Sequence, residues 1–337
     1  MRTVLEGLNE ALHHAMENDE RVYFLGEDIL DPYGGAFKVA RGLSTRFPKR
    51  VLTTPISEAA IVGLATWMAL RGLRPIVEIM FGDFLTLAHD QIANHAAKFR
   101  WMYNDQVRVP LVIRTPMGGR RGYGPTHSQS IEKHWLGVPG LRVVAPNTVT
   151  NPKQLLLQAV LRDDDPVLFI EHKLLYGCKP MDSAALREFN IRTDDAVYPT
   201  VTITLKGAPQ AQVTFACYGY TFELVREAMS ILAMKHEVFS EGVVYTHLNS
   251  SDHSMLIESL NLTKTLVTAE EGGRLAGWGS ELVSSAFEIL GAKGLHTAKR
   301  VGALNLPIAS TRILEDEVLP STETIVQSAL QAVQVSQ

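Results

Sequence analysis

RVLTTPISEAAIVGLATWMALRGLRPIVEIMF, residues 50–81, contains three apolar runs of two different lengths. The first and third, RVLTTPI and PIVEIMF, have the length of buried strands. The middle run, Ala59 to Leu70, suits a helix, with Ser57 as its predicted N-cap and Gly72 and Pro75 as stop signals. Because almost every position of this helix is apolar, we expect it to be buried on all sides. The segment therefore predicts two parallel strands joined by a crossover helix.

The same alternation of strands and helices continues on both sides of this segment. Further strands are predicted at RVYFLG, VPLVIRT, GLRVVAP and PVLFIEH, and further helices at Val4–Met16, Thr86–Tyr103 and NPKQLLLQAVL. Several of the strand runs are continuously apolar, which is typical of parallel strands covered on both faces. We therefore expect an α/β domain with a parallel sheet over residues 1–180.

The pattern changes after Gly177, where a polar stretch without a sustained period predicts a linker over residues 181–205. A second α/β pattern follows, with strands at QVTFACYG, EVFSEGVVYTHL and TKTLVTAEEGG and a closing helix near Glu323–Val333. The sequence therefore predicts an α/β fold of two domains, residues 1–180 and 206–337, which suits a chain of 337 residues.

The amino-acid composition and the net charge indicate which classes of protein this chain can belong to. Hydrophobic residues make up 46% of the chain and charged residues 20%, an ordinary globular balance. The net charge of −4 gives no electrostatic footprint for nucleic acid or an anionic membrane, and no apolar run is long enough to span a bilayer. Two cysteines, Cys178 and Cys217, cannot form a disulfide framework, and the N-terminal segment does not have the pattern of a signal peptide. We therefore expect a protein of the cytoplasm, or of an organelle matrix after removal of a targeting segment.

Glu58 is the acid at the junction between the RVLTTPI strand and the apolar helix. A carboxylate in the first turn of a helix can simply favour the helix dipole, by about 0.3–1 kcal/mol. Alternatively, a carboxylate held in a dry pocket at a strand-to-helix junction can hydrogen-bond a nitrogen atom of a cofactor. Position alone leaves both interpretations open.

A glycine-rich loop, GGRRGYGPTHSQS at Gly118–Ser130, lies between two predicted strands, where binding residues gather in α/β folds. His127, near its end, is either a solvated histidine or an acid–base group carried by a mobile loop. Arg120 and Arg121 are either solvated, part of a subunit contact, or placed to attract an anionic substrate. His134 would share a helical face with His127, but two histidines without a third ligand make a weak metal site.

Met80, Phe81 and Phe84 flank a Gly-Asp pair directly after a predicted strand. They form either ordinary core or a surface on which a flat cofactor ring stacks. Other site motifs are missing from the sequence: there is no G-x-S-x-G, no Walker loop and no H-E-x-x-H. GGRLAGWGSEL is glycine-rich before a predicted helix but does not fit G-x-G-x-x-G, so it only weakly supports a dinucleotide site.

Several motifs taken together resemble one known family. GED…GGAFKVARGL, TPISEAAIVG, GLRPIVEIMFGDF, AHDQIANHAAKFRW, GPTHSQSIEKHWLGVPGLRVVAPN and DDDPVLFIEHKLLYG occur in order and at family-like spacing. They resemble the β subunit of the E1 component of thiamine-diphosphate-dependent 2-oxoacid dehydrogenases, the type found in pyruvate, branched-chain and acetoin dehydrogenases. The resemblance covers nearly the whole chain and is densest in the predicted first domain.

The resemblance implies a transketolase-like architecture, in which the first domain binds the aminopyrimidine of thiamine diphosphate and the second is a transketolase C-terminal domain. Glu58 is then expected to hydrogen-bond the pyrimidine N1′, and Phe84 to stack on the pyrimidine with Met80 beside it. His127 is expected near the reacting carbon, where it would hold the substrate carboxylate or move protons during acyl transfer. Some members bind potassium through backbone oxygens at positions that match Leu111, Val160, Leu161, Asp163 and Asp165.

The resemblance also implies partners. The diphosphate-binding half of the family carries G-D-G and a later asparagine that helps to hold Mg²⁺, whereas GDF at Gly82 lacks the third glycine. This chain would therefore be half of an active site. It would need a separate E1 α subunit to hold Mg²⁺ and the diphosphate, in an α₂β₂ heterotetramer. A lipoyl acyltransferase (E2) and a pyruvate-like 2-oxoacid substrate are expected with it.

One stretch departs from the family. VYTHLNSSD stands where members often read D-L-R-T-L-x-P-L-D, with Thr246 at the arginine and Ser250 at the proline. The departure puts docking of the acyltransferase in doubt, but not the cofactor site. Two other functions stay open: a split thiamine-dependent carboligase without a lipoyl partner, and a non-catalytic paralogue. The presence of both Glu58 and His127 argues against the second of these.

Overall fold

The computed structural model describes residues 2–182 and 184–336, and the chain divides into two compact units. The first unit comprises Met1–Gly118, Thr126–Pro146 and Thr150–Pro180, and the second comprises Gly119–Pro125, Asn147–Val149 and Met181–Gln337. None of the helices in the described residues combines the length and the apolar character that crossing a bilayer requires.

The first unit is built on a parallel sheet. Its strands are β1 (Val22–Gly26), β2 (Val51–Thr53), β3 (Arg74–Glu78), β4 (Val112–Met117), β5 (Arg142–Val144) and β6 (Val167–His172). They lie in the order β2-β1-β3-β4-β6-β5, and each neighbouring pair is parallel. Every residue of β3, β4 and β6 is buried, as expected for strands that read as continuous apolar runs.

The helices of the first unit begin with α1, whose Thr3–Glu6 capping box closes its first turn. They are α1 (Val4–Asn18), α2 (Leu43–Arg46), α3 (Glu58–Leu70), α4 (Phe99–Met102), α5 (Lys133–Leu136) and α6 (Pro152–Leu161), with a 3₁₀ turn at Leu175–Gly177. Ser57 precedes α3 as predicted, but its side chain makes no capping hydrogen bond.

The prediction of a continuous helix over Thr86–Tyr103 is wrong. The structure has a 3₁₀ turn at Gly82–Ala88, a π-helical turn at Gln91–Ala96 and then α4. The first residue of this segment is closely packed against β4, because a Cβ atom at Gly82 would lie 2.3 Å from Cγ of Met117. Breaks of this kind in the helical ladder are frequent at functional sites.

The second unit has a mixed sheet. Its strands are β7 (Phe189–Thr193), β8 (Val201–Leu205), β9 (Val213–Tyr218), β10 (Ser240–Tyr245), β11 (Thr265–Gly273) and β12 (Thr297–Ala303), in the order β12-β11-β9-β10-β8-β7. β12, β11, β9 and β10 are parallel, whereas β8 and β7 are added antiparallel. The helices are α7 (Thr221–His236), α8 (Ser254–Thr263), α9 (Trp278–Gly294), α10 (Arg312–Val318) and α11 (Thr322–Ser336), and a 3₁₀ turn lies at Ala185–Glu188.

The segment 181–205, expected to be a linker, contains β7 and β8 and belongs to the second unit. Phe189, Val201 and Ile203 enter the hydrophobic core of that unit. Between the strands, the Asp194 carboxylate accepts hydrogen bonds from the backbone N–H groups of Ala196 and Thr200. The linker prediction failed because an edge strand such as β7 buries few side chains, so its sequence is mostly polar.

The glycine-rich stretch GGRLAGWGSEL has a structural explanation in the second unit. The carboxylate of Glu270, on β11, accepts hydrogen bonds from the N–H groups of Trp278 (2.8 Å) and Gly279 (2.9 Å) and so caps the start of α9. A Cβ atom at Gly277 would lie 2.6 Å from the Glu270 carboxylate. This helix start is therefore occupied by the chain's own acid and not open to a dinucleotide phosphate.

Candidate active site

The site residues predicted from the sequence follow three strands of the first sheet: Glu58 follows β2, Met80 and Phe84 follow β3, and His127 follows β4. Glu27, which the sequence analysis did not select, follows β1. Since the strand order is β2-β1-β3-β4 and all four strands are parallel, their carboxyl ends lie at one edge of the sheet. Ligands of open α/β sheets bind at this edge.

Glu58 is the first residue of α3 and is only 5% exposed. The helix that it begins is apolar, but it is not buried on all sides as expected, because Leu64 and Trp67 are more than half exposed. A buried carboxylate at a helix N-terminus, followed by an apolar helix, is costly unless a hydrogen-bond donor or the helix dipole compensates it.

Glu27 is a second carboxylate of this site, and we did not identify it from the sequence. Burial raises its pKa above the ordinary value, the charge of Glu58 raises it further, and a hydrogen bond from the Ser57 backbone opposes both effects. One of its oxygens, Oε1, is buried and has no hydrogen-bond partner. The signal was available, since Glu27 directly follows the strand RVYFLG at the sheet edge where ligands bind.

An aromatic cluster surrounds His127. Its ring centre lies 4.8 Å from that of Phe81 and 5.1 Å from that of Phe84, edge-on in both cases. Phe37 contacts Phe81 at 5.7 Å and Tyr176 at 5.6 Å between ring centres. The structure thus brings His127 and Phe84 together, as a stacking or proton-transfer site would require. It also places Phe37 beside Phe81, and Tyr176 beside Phe37.

The segment that carries His127 is fixed from both sides along the chain. Thr126 Oγ1 lies 2.9 Å from Nδ1 of His127. Two residues later, the side-chain amide of Gln129 donates to Asp83 Oδ1 at 2.7 Å. Nδ1 of His127 is thus engaged by Thr126, and Gln129 ties this stretch of chain to the turn that bears Phe84.

A buried ionic network lies in the strands that lead to the site. Arg114 on β4 donates two hydrogen bonds of 2.7 Å to Glu171 on β6 and one of 2.8 Å to Glu78 on β3. The Tyr176 hydroxyl donates to Glu171 at 2.6 Å. Burial raises the pKa of Glu78, and Arg114 opposes that rise. Gly35 is required here, since its φ is +83° and a Cβ atom would lie 2.4 Å from Glu78 Oε1.

Asp31 organises the loop between Glu27 and α2. Its carboxylate accepts hydrogen bonds from the Gly42 N–H (2.8 Å), the Ser44 and Thr45 hydroxyls (2.7 Å each) and the Thr45 N–H (3.0 Å). Burial acts to raise the pKa of Asp31, but these hydrogen bonds outweigh it and hold the pKa well below the ordinary value.

Because the folded-state pKa of Asp31 is lowered, its contribution to stability is present above the unfolded pKa, near 3.9, and is lost as the pH falls toward the folded-state pKa. Asp31→Asn is therefore expected to lower the melting temperature by roughly 2–4 °C at pH 7, and by less as the pH approaches 3. Thermal denaturation followed by circular dichroism at pH 3, 5 and 7 measures this. An equal difference at all three pH values would contradict it.

Arg120 does not serve as a free anion receptor. In the second unit, its guanidinium lies 3.4 Å from the Asp316 carboxylate and 3.6 Å from that of Glu271, and it donates to the Pro320 carbonyl at 2.5 Å. Its backbone N–H donates to Glu315 at 2.6 Å. The hypothesis that Arg120 attracts an anionic substrate is therefore not supported, because two carboxylates already compensate its charge.

The carbonyl oxygens considered for potassium are partly engaged. Arg74 donates to the carbonyls of Val160 (2.6 Å) and Asp163, and the Val167 N–H donates to that of Leu111 (2.8 Å). A carbonyl oxygen has a second lone pair, but a potassium ion here would share two ligands with a guanidinium cation. The potassium site at Leu111, Val160, Leu161, Asp163 and Asp165 stays a prediction.

The VYTHLNSSD stretch, which departs from the family pattern, has a local structural role in the second unit. Thr246 is fully buried, and its hydroxyl donates to the Pro199 carbonyl at 2.8 Å. It thereby ties the end of β10 to the turn before β8. The departure is thus accommodated within the fold of this unit.

Comparison with known proteins supplies the family. The family model described as transketolase, pyrimidine binding domain, matches residues 1–179. The mitochondrial pyruvate dehydrogenase E1 component subunit beta of Caenorhabditis elegans is 35% identical over 99% of this chain and 93% of its own length. The corresponding Rickettsia conorii subunit is 34% identical over 97% of this chain and 96% of its own length.

Two solved structures share the fold. A split-gene transketolase, described as an inactive beta4 tetramer, has a TM-score of 0.76 at 19% identity and covers all of both chains. Transketolase from Leishmania mexicana has a TM-score of 0.70 at 15% identity, over 98% of this chain and 45% of its own. Matches at this identity support the transketolase-like α/β fold, and the sequence relatives carry the family. The chain belongs to the family of the β subunits of the pyruvate dehydrogenase E1 component, a component of 2-oxoacid dehydrogenases.

Proposed function

We propose that this chain supplies the pyrimidine-binding half of a thiamine-diphosphate-dependent E1 enzyme, which decarboxylates a pyruvate-like 2-oxoacid and passes the acyl group to lipoamide. The observation that carries the proposal is Glu58, a buried carboxylate at the start of α3 on the ligand-binding edge of the sheet. The adjacent Glu27 has a raised pKa and an unpartnered buried oxygen. A site with two carboxylates and spare hydrogen-bonding capacity suits an aminopyrimidine, which offers both ring nitrogen and amino groups.

In this proposal, Glu58 hydrogen-bonds the pyrimidine N1′, and Phe84 and Met80 pack against the ring. The cofactor, when bound, supplies the carbanion-stabilising chemistry of the decarboxylation. Glu58 keeps the ring nitrogen in the required protonation state, and the apolar start of α3 keeps water away from that contact. His127, held between Phe81 and Phe84 at 4.8 and 5.1 Å, exchanges a proton with the substrate through Nε2 or binds its carboxylate.

We also infer an E1 α subunit that holds Mg²⁺ and the diphosphate, in an α₂β₂ assembly. Support comes from large apolar side chains that are exposed on the first unit. Trp101 is 89% exposed and Trp67 59%, and Leu64, Met102 and Tyr103 are about half exposed or more. A cleft of about 910 Å³ opens beside Trp101 and Met102. Exposed aromatic and apolar groups of this kind are typical of surfaces that a partner covers.

The function also involves a substrate, an acyl acceptor, metal ions and a cellular compartment. The names of the relatives refer to pyruvate, and the relatives include both mitochondrial and bacterial proteins. We therefore propose pyruvate or a close analogue as substrate and a lipoyl acyltransferase as partner. For potassium we propose the five backbone oxygens described above, and for location the cytoplasm or an organelle matrix.

Mass spectrometry of what co-purifies with this chain from its own cells tests the partners. Recovery of an α-type thiamine enzyme subunit together with a lipoyl acyltransferase is expected. Recovery of an α subunit without any lipoyl protein would favour the split carboligase instead.

Reconstitution of the enzyme from its subunits tests whether this chain supplies only half of the active site. The chain alone is expected to show no decarboxylation of pyruvate with an artificial electron acceptor. Addition of the α subunit, thiamine diphosphate and Mg²⁺ is expected to produce it. Turnover by this chain alone would refute the division of the site between two subunits.

A further inference from the structure

Lys173 is a fully buried lysine at the end of β6 in the first unit. Its ammonium group donates to the carbonyl of Gly118 at 2.7 Å and to that of His127 at 2.5 Å. Gly118 follows β4 directly, and the chain between these two carbonyls is the glycine-rich loop. One side chain therefore joins the two ends of the loop that leads to His127.

The same ammonium group also lies near the aromatic neighbour of His127. Nζ of Lys173 is 5.3 Å from the centre of the Phe81 ring, within the range of a cation–π contact. That ring lies 4.8 Å from the ring of His127. Lys173 thus contacts the backbone of His127 on one side and the aromatic ring beside its imidazole on the other.

A buried ammonium group is expensive, so its presence calls for a reason. Without the ammonium group, the carbonyls of Gly118 and His127 would each lose a charge-assisted hydrogen bond. Because the loop between them is rich in glycine, its two ends would then be free to move. Positive φ at Gly118, Gly122 and Gly124 already gives this loop a backbone that other residues rarely adopt. A single cation that fixes both ends limits where His127 can lie.

We propose that Lys173 is a positioning residue for His127: it closes the loop 118–127 and holds the imidazole against Phe81 and Phe84. This inference rests on the function proposed above for His127. Lys173 acts through His127 and not on the substrate. Misplacement of a catalytic group by about 1 Å can cost about 10²-fold in rate, so loss of the lysine should affect kcat more than substrate binding.

The test uses the complete α/β assembly with thiamine diphosphate and Mg²⁺, and pyruvate with an artificial electron acceptor. Lys173→Met removes the three donors and keeps an unbranched apolar stem of similar length. It is expected to lower kcat by about 10- to 100-fold, with a change in KM of less than about 3-fold. Lys173→Arg keeps the charge and is expected to recover part of the activity.

Lys38→Met is the matched control. Lys38 also donates to a backbone carbonyl, that of Tyr33 at 2.8 Å, and lies 3.7 Å from the centre of the Tyr33 ring, but it is more exposed than Lys173. Its loss is expected to leave kcat and KM unchanged.

A double-mutant cycle with His127→Gln separates positioning from a general structural role. If Lys173 acts through His127, the double variant should be no slower than His127→Gln alone. Multiplicative losses, or a wild-type kcat in Lys173→Met, would overturn the inference. Should Lys173→Met fail to fold, the same cycle with Lys173→Arg distinguishes the two roles by the same criterion. Full activity of His127→Gln would instead refute the function proposed for His127, and the two failures are thereby distinguished.

Discussion

Glu58→Gln, in the complete assembly with an α subunit, is expected to lower kcat by at least about 100-fold. Glu58 is buried, but the amide is isosteric with the carboxylate, so the packing is kept and the fold should survive. Under the function proposed for Glu58, the substitution removes the charge that would stabilise a proton on the pyrimidine nitrogen. The measurement is the steady-state rate with pyruvate and an artificial acceptor, with cofactor affinity determined by calorimetry.

Glu6→Gln is the control for the helix-dipole interpretation of Glu58. Glu6 is also an acid in the first turn of a helix, and it closes the α1 capping box through a 2.8 Å hydrogen bond from the Thr3 N–H. Its loss is expected to leave catalytic activity unchanged and to lower stability only slightly. If the two variants behave alike, with full activity and a small loss of stability, Glu58 has only the role of a helix-terminal acid.

Arg114→Met is expected to destabilise the first unit by about 3–5 kcal/mol, which corresponds to a fall in melting temperature of roughly 6–20 °C. The reason is that the carboxylates of Glu78 and Glu171 remain buried after the guanidinium between them has gone. Thermal denaturation of the chain, followed by near-ultraviolet circular dichroism, measures the effect.

The pH dependence of this variant has a definite sign. The pKa of Glu78 is already raised by burial, and Arg114 lowers it, so loss of Arg114 raises it further. A group with a raised folded-state pKa contributes stability at low pH that is lost as the pH rises through that pKa. Arg114→Met should therefore be less stable at pH 8 than at pH 5, relative to the unsubstituted chain.

Two further variants test whether the unpaired buried carboxylates cause the loss of stability in Arg114→Met. Glu78→Gln in the Arg114→Met background should recover part of the stability at pH 8, because it removes one unpaired charge. Arg21→Met, which breaks an exposed pair with Asp19, should cost no more than about 1 kcal/mol. A loss for Arg114→Met as small as for Arg21→Met would mean that the network contributes little.

Much of the fold was predictable because hydrophobic period and length are local properties of a sequence. PIVEIMF and VPLVIRT read as buried parallel strands, and most of β3 and β4 lies within them. The apolar run after Ser57 is α3. Where burial is slight, the same rule fails: the polar edge strand β7 read as linker. The rule also does not distinguish kinds of helix, so Thr86–Tyr103 read as one regular helix.

The candidate site divides in the same way. Glu58, Met80, Phe84 and His127 could be selected from the sequence, because each lies at or after the end of a predicted strand and carries a group suited to bind a ring or a proton. These residues lie at one edge of the sheet because of the strand order β2-β1-β3-β4, which is a property of the tertiary structure.

The parallel α/β fold of the first unit, the family and the residues at strand ends could all be inferred from the order of the residues. The groups that support the site became visible only in the folded chain: Glu27 beside Glu58, Lys173 across the loop of His127, and Arg114 between its two carboxylates. These groups are far apart along the chain. Arg114 meets its partners 36 and 57 residues away, and Lys173 meets His127 46 residues away. A buried charge carries no local period, so its partner is specified by packing alone.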